Sequence, residues 1–177
     1  MDQPSTARIG IVEDDARVRE ALRTILATAK DMVLDKDWSN AEDALAGWME
    51  HCPDVVIMDI NLPGASGINC VQQLSARFPA AQFLMYTMHD DDQRVFDALK
   101  AGANGYLLKS AKPLEILNAI RDLLNGGSPM SATIARRVVA QLRPARNESN
   151  LAAARLTERE QEVLHLLAEG LLYKEIS

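Results

Sequence analysis

Cysteine is scarce in this chain, and Cys52 and Cys70 have neither the number nor the spacing of a disulfide framework or a thiolate metal site. They read as ordinary thiols. No apolar run approaches the roughly 20 residues that cross a bilayer, and Met1 to Arg8 contains no apolar signal-peptide core. The expectation is a cytoplasmic protein with no membrane partner. Neither Gly-x-Gly-x-x-Gly nor Gly-x-x-x-x-Gly-Lys-[Ser/Thr] occurs, which speaks against the phosphate-cradling loops of nucleotide-binding enzymes. Positive charge is also short over residues 1–128, where 12 Lys and Arg face 19 Asp and Glu, a balance of −7. Such an acidic body argues against nucleic-acid binding by that part, whereas residues 129–177 balance at +1 and leave the question open.

What is present is the composition of a soluble globular protein, 47% hydrophobic and 25% charged over 177 residues, enough for one domain of usual size and an appendage. Val55-Val-Ile-Met58 is a short, continuous, β-branched apolar run of the kind buried on both faces of a parallel sheet, and it ends in Asp59 before Pro63 and Gly64 break the pattern. Arg8 to Glu13 reads as an earlier strand closed by the acids Glu13, Asp14 and Asp15. Val18, Ala21, Leu22, Ile25 and Leu26 then recur at helical spacing. Met32 to Asp37 reads as a weaker strand, and Asn40 caps a helix carrying Ala44, Leu45 and Trp48. Further on, the spacing predicts a helix over Gly67 to Arg77, a strand over Gln82 to Thr87, a helix over Asp90 to Lys100, a strand over Gly105 to Lys109 and a helix over Pro113 to Leu124. Five alternations of strand and helix predict an α/β fold, a five-stranded parallel doubly wound sheet of the flavodoxin-like kind.

In such a sheet the functional crevice lies at the C-terminal ends of the strands. Those ends carry Glu13 and Asp14, Asp59, Thr87 and Lys109. Three carboxylates, a hydroxyl and an ammonium suit phosphoryl transfer to an aspartate. Crowded carboxylates raise each other's pKa unless a hard cation such as Mg2+ accepts their oxygens. Asp59 would be the nucleophile, Lys109 and the cation would neutralise the equatorial phosphoryl oxygens, and Thr87 would donate to one of them.

The acid pair Glu13-Asp14, the run Asp59-x-x-Leu-Pro-x-x-x-Gly67, Thr87 and Gly105-Tyr-Leu-Leu-Lys109 together resemble a response-regulator receiver domain over about residues 7–125. The resemblance implies that a sensor histidine kinase phosphorylates Asp59. It implies that Mg2+ is bound by Asp14, Asp59 and the backbone carbonyl of Asn61, with Glu13 acting through water. Thr87 and Lys109 would contact the phosphoryl group, and Tyr106 matches the switch aromatic that turns inward when Thr87 is drawn toward the phosphate. Asn61 and His89, two residues beyond Asp59 and Thr87, are expected to set the autodephosphorylation rate. A homodimer is expected of the family, with no enzymatic turnover beyond phosphoryl acceptance and autodephosphorylation. Ser110 departs from the Pro or Asp that many receivers place after the lysine.

The tail opens with Gly126-Gly-Ser-Pro, and Ile134, Val138, Val139 and Leu142 then recur on one face of an amphipathic linker helix. Residues 143–150 are polar and broken by Pro144. Thr157 and Glu160 match a capping box ahead of Val163, Leu164 and Leu167, with Gly170 at the exit. Leu156 to Gly170 followed by Lys174-Glu-Ile-Ser177 resembles the start of a LuxR-type (NarL/FixJ-like) helix-turn-helix domain, although Leu172 and Tyr173 replace the small polar residues usual there. The expected division is a receiver over 1–128, a linker over 129–150 and the N-terminal part of a LuxR-type DNA-binding domain over 151–177. The sequence stops at Ser177, before a recognition helix, so residues 1–177 are expected not to bind a specific operator. DNA would be a partner only where that helix is present. A shortened transcription factor and a chain that ends naturally at Ser177 both fit. Two other readings stand beside the phosphorylation-switched transcriptional regulator. One is a receiver acting only through protein contacts. The other is a Mg-dependent phosphatase of the haloacid-dehalogenase type, which would want a second acid where this chain has Asn61.

Overall fold

The computed structural model describes residues 6–88 and 91–142. Its elements run β1 (Ala7–Val12), α1 (Ala16–Ala27), β2 (Met32–Trp38), α2 (Ala41–Gly47), β3 (Val55–Met58), α3 (Gly67–Arg77), β4 (Gln82–Thr87), α4 (Asp92–Lys100), β5 (Gly105–Leu108), α5 (Pro113–Leu124) and α6 (Ala132–Leu142). The predicted alternation is therefore present, with α4 starting two residues later than its spacing predicts. The reason is local: Asp91 is the N-cap, extended in backbone and accepting from Arg94 N–H at 3.1 Å. Asn40 caps α2 in the predicted way, accepting from Asp43 N–H at 2.8 Å. At α5, Pro113 occupies the first turn and Glu115 reaches back to accept from Lys112 N–H at 2.6 Å.

The strands pair in the order β2-β1-β3-β4-β5, all neighbours parallel. Every β3 side chain is buried, as its unbroken apolar run requires of a strand covered on both faces. One apolar layer joins Val12, Val56, Met58, Phe83 and Met85 to Leu74, Val95 and Tyr106. The other joins Ile9, Ile11, Val55, Ile57 and Leu84 to Leu22, Leu26, Ile116 and Ile120 of α1 and α5. The order reverses between β1 and β3, so the crevice of the switch point opens between the acid pair after β1 and Asp59 after β3.

The segment read as linker joins this body. Tyr106 N–H donates to the Pro129 carbonyl at 2.9 Å, and Tyr106 and Met130 form a parallel bridge that covers part of the free edge of β5. Gly105 permits the approach, since a Cβ there would stand 2.9 Å from Pro129 Cγ. Ile134 of α6 is fully buried in the same apolar layer as Tyr106, and Arg137 pairs with Asp92 of α4 at 2.9 Å. The compact unit closes at Ala140. The predicted helix-turn-helix segment and His89 lie outside the described residues.

Candidate functional site: an acidic crevice at the strand ends

The backbone ladder continues one residue past each strand, and that continuation places the site. Glu13 N–H donates to Trp38 O at 3.0 Å, Asp59 N–H to Val12 O at 2.9 Å, and Lys109 N–H to Thr87 O at 2.9 Å. Each charged residue thus hangs from a sheet hydrogen bond, so its position is that of the sheet rather than of a loop. Asp59 is held from a second side at Gly67, the first residue of α3, whose added Cβ would fall onto the Asp59 carbonyl oxygen. Gly67 N–H donates to Ile60 O at 2.9 Å. The glycine in the Asp59-x-x-Leu-Pro-x-x-x-Gly67 run is therefore a close-approach residue, which lets α3 start against the strand end.

Lys109 reaches both acids. Its Nζ donates to Asp59 Oδ2 at 2.8 Å and stands 2.7 Å from Glu13 Oε2, the latter an ion contact rather than an aligned hydrogen bond. Glu13 is 1% exposed and Asp59 5% exposed. Burial pushes the Glu13 carboxyl above its ordinary value, against the opposing pull of Lys109 and of the Asp15 N–H that Glu13 accepts at 3.1 Å. Burial alone would lower Lys109, but its hydrogen bond to Asp59 and its contact with Glu13 outweigh it, and the ammonium is held above its ordinary range. Asp14 is exposed at the mouth, and Arg19 of α1 donates to its carbonyl at 2.9 Å and to that of Glu13. Thr87 and Tyr106 are both fully buried.

One carboxylate oxygen from each of Glu13, Asp14 and Asp59 can be chosen so that all lie within 4.8 Å of one another. Asp59 Oδ1 and Glu13 Oε2 are buried and lack a hydrogen-bond partner. A buried Asp59 oxygen without a partner, beside a second acid that shares the same single ammonium, fits a small divalent cation such as Mg2+. Sequence reading missed three supporting residues. Arg19 holds the acid-pair backbone, Glu42 of α2 accepts from Ala65 N–H at 2.9 Å, and Arg94 of α4 donates to Asn61 Oδ1 at 2.9 Å. The latter two contacts span 23 and 33 residues, and no local periodicity signals them.

Fold and crevice define a flavodoxin-like α/β domain with an acidic switch point whose three carboxylates could hold a cation. Residues 9–121 match the response regulator receiver domain, and the chain belongs to that family. It is a two-component response regulator of the transcriptional-regulator kind. Similar proteins include the transcriptional regulatory protein LiaR of Bacillus subtilis, 32% identical over 96% of this chain and 80% of the relative. Another is the nitrate/nitrite response regulator protein NarL of Escherichia coli, 28% identical over all of this chain and 82% of the relative. Among solved structures, a LuxR-family two-component response regulator from Aurantimonas is 35% identical, with a TM-score of 0.72 over 77% of this chain and 98% of that one. The receiver-family match, together with relatives that are named as regulatory proteins, sets aside the dehalogenase-type phosphatase.

Proposed function

We propose that Asp59 accepts a phosphoryl group from the phosphohistidine of a sensor kinase. The supporting observation is the pairing of Asp59 with Lys109 at 2.8 Å while Asp59 Oδ1 is left without a hydrogen-bond partner. Asp14, Asp59 and the Asn61 carbonyl would hold Mg2+, with Glu13 acting through water. When bound, the ion supplies charge neutralisation to the phosphoryl oxygens. The residues do the rest. The paired Lys109 ammonium steers a dianionic donor to Asp59 and then follows the transferred charge, and the sheet holds the carboxylate in line for attack. A carboxylate oxygen forms the new bond to phosphorus as the phosphohistidine nitrogen leaves.

Thr87 and Tyr106 form the readout. Tyr106 is packed in the layer it shares with Val95 and Ala98 of α4 and Ile134 of α6, so a shift of Thr87 toward the phosphate is felt where α4 and α6 meet. The division is a receiver over 1–128, a linker over 129–150 whose first part packs on the receiver, and the N-terminal part of a LuxR-type DNA-binding domain over 151–177, and the working form is a cytoplasmic homodimer. Among the described residues no helix is long and apolar enough to cross a membrane.

Incubation of the protein with Mg2+ and a small phosphoramidate donor should raise the intact mass by one phosphoryl group, and Asp59→Asn should not be labelled. Equal labelling of Asp59→Asn would show that the nucleophile lies elsewhere.

A further inference from the structure

Asn61 lies two residues past Asp59, in the loop that leaves β3, and its side chain is tied to α4 rather than only to its own loop. Arg94 Nη1 donates to Asn61 Oδ1 at 2.9 Å. The same guanidinium lies 3.5 Å, Nε to Oδ2, from Asp91, whose other oxygen caps α4 through the Arg94 N–H. One arginine thus links the N-terminus of α4 to the rim of the phosphoacceptor crevice. We propose that Arg94 is a positioning residue that lengthens the life of the phosphorylated state by holding the Asn61 carboxamide away from the attacking water. This rests on the reading of Asp59 as phosphoacceptor.

The chemistry at stake is hydrolysis of the acyl phosphate. A water oxygen bonds to phosphorus, the bond from phosphorus to the Asp59 oxygen breaks, the carboxylate is regenerated, and hydrogen phosphate and one proton are released. The water attacks opposite the leaving carboxylate and needs an acceptor to orient it and take up its developing positive charge. The Asn61 carbonyl oxygen is the nearest side-chain acceptor in sequence to Asp59 on this rim. A charged donor lowers the electron density of that oxygen and commits one of its two lone pairs, and the two-point hold of Arg94 fixes which way the amide faces. Removing the guanidinium uncovers the Asn61 Oδ1 lone pair that Arg94 occupies, so that this oxygen can accept from water and hydrolysis quickens. The link also joins lifetime to switching, because Arg94 rides on α4, the helix whose Val95 and Ala98 pack in the Tyr106 layer. A displacement of α4 that breaks the contact would shorten the signal it reports.

The test uses the 177-residue chain, phosphorylated with Mg2+ and a small phosphoramidate and followed by intact mass after the donor is removed. Arg94→Ala should shorten the half-life by about fivefold, the size of effect one hydrogen bond commands. In an Asn61→Ala background the same substitution should change the half-life by less than about twofold. In the unphosphorylated, metal-free protein, the Asn61 side-chain amide resonances should shift on Arg94→Ala. Equal half-lives for parent and Arg94→Ala, or an Arg94 effect undiminished by Asn61→Ala, would overturn the proposal. So would amide resonances that stay in place. Failure to label the parent at all would refute the Asp59 reading, and this proposal with it.

Discussion

Lys109 is the residue on which the crevice turns, because one ammonium stands within 2.8 Å of carboxylate oxygens from two different strand ends. Without it two buried acids would face each other with no counter-charge, at a cost of several kcal/mol for an unpaired buried charge. Glu13 is the strained partner. Its carboxyl is held above the ordinary glutamate range by burial, so the folded chain binds that proton more tightly than the unfolded chain does. Stability from this group therefore falls as pH rises from the unfolded value of about 4.3 through the raised folded value. Glu13→Gln removes the charge, and in EDTA at pH 7.5 it should be more stable to urea than the parent. The difference should disappear near pH 4, where both states bind the proton, and a Gln variant no more stable at pH 7.5 would contradict the assignment. Gly67→Ala makes a second test at this scale. Its methyl would collide with the Asp59 carbonyl, forcing α3 off the strand end. We expect a loss of about 1–3 kcal/mol in urea unfolding, with slower phosphoryl uptake because the loop after Asp59 must shift.

At the scale of elements, the caps and the glycines explain where the helices begin, and packing explains where α6 goes. Its apolar face, Ile134 and Val138, is legible as amphipathic spacing, but the spacing carries no address. The address comes from the β5 edge, where the Tyr106 N–H has an unused donor that Pro129 satisfies at 2.9 Å. Ile134→Ala leaves a cavity under α6 of the kind that costs about 2–4 kcal/mol in a core. Because α6 lies at the margin of the unit, the loss should appear as faster amide exchange over residues 132–140, with protection of β1 and β3 unchanged. Uniform loss across the sheet would mean that α6 is part of one cooperative core.

For the whole molecule, the topology does what no single element can. β1 and β3 are adjacent in space but 42 residues separate Val12 from Val55 in sequence, and between them the strand order turns back on itself. That reversal opens the crevice, and the two apolar layers on either face keep the strand ends in register. Receiver and tail also differ in what the sequence can say of them. The first has buried runs ending in charge, whereas the reading of the second rests on a capping pattern and a family resemblance.

The sequence by itself determined the strands, most helix limits and the placing of Glu13, Asp14, Asp59, Thr87 and Lys109 at the strand ends, because burial on both faces leaves unbroken apolar runs whose ends are marked by the first polar or charged residue. It also marked Asn61 as a rim residue. Only the tertiary structure decided that Lys109 serves Glu13 as well as Asp59, that Gly67 must lack a side chain, that α6 seats against Tyr106, and that Arg94 grips Asn61. In each case the decision lies in which distant elements approach one another. Periodicity reports which face of an element is apolar, but long polar side chains meeting across loops leave no period, and their partners are chosen by the approach of elements far apart in the chain.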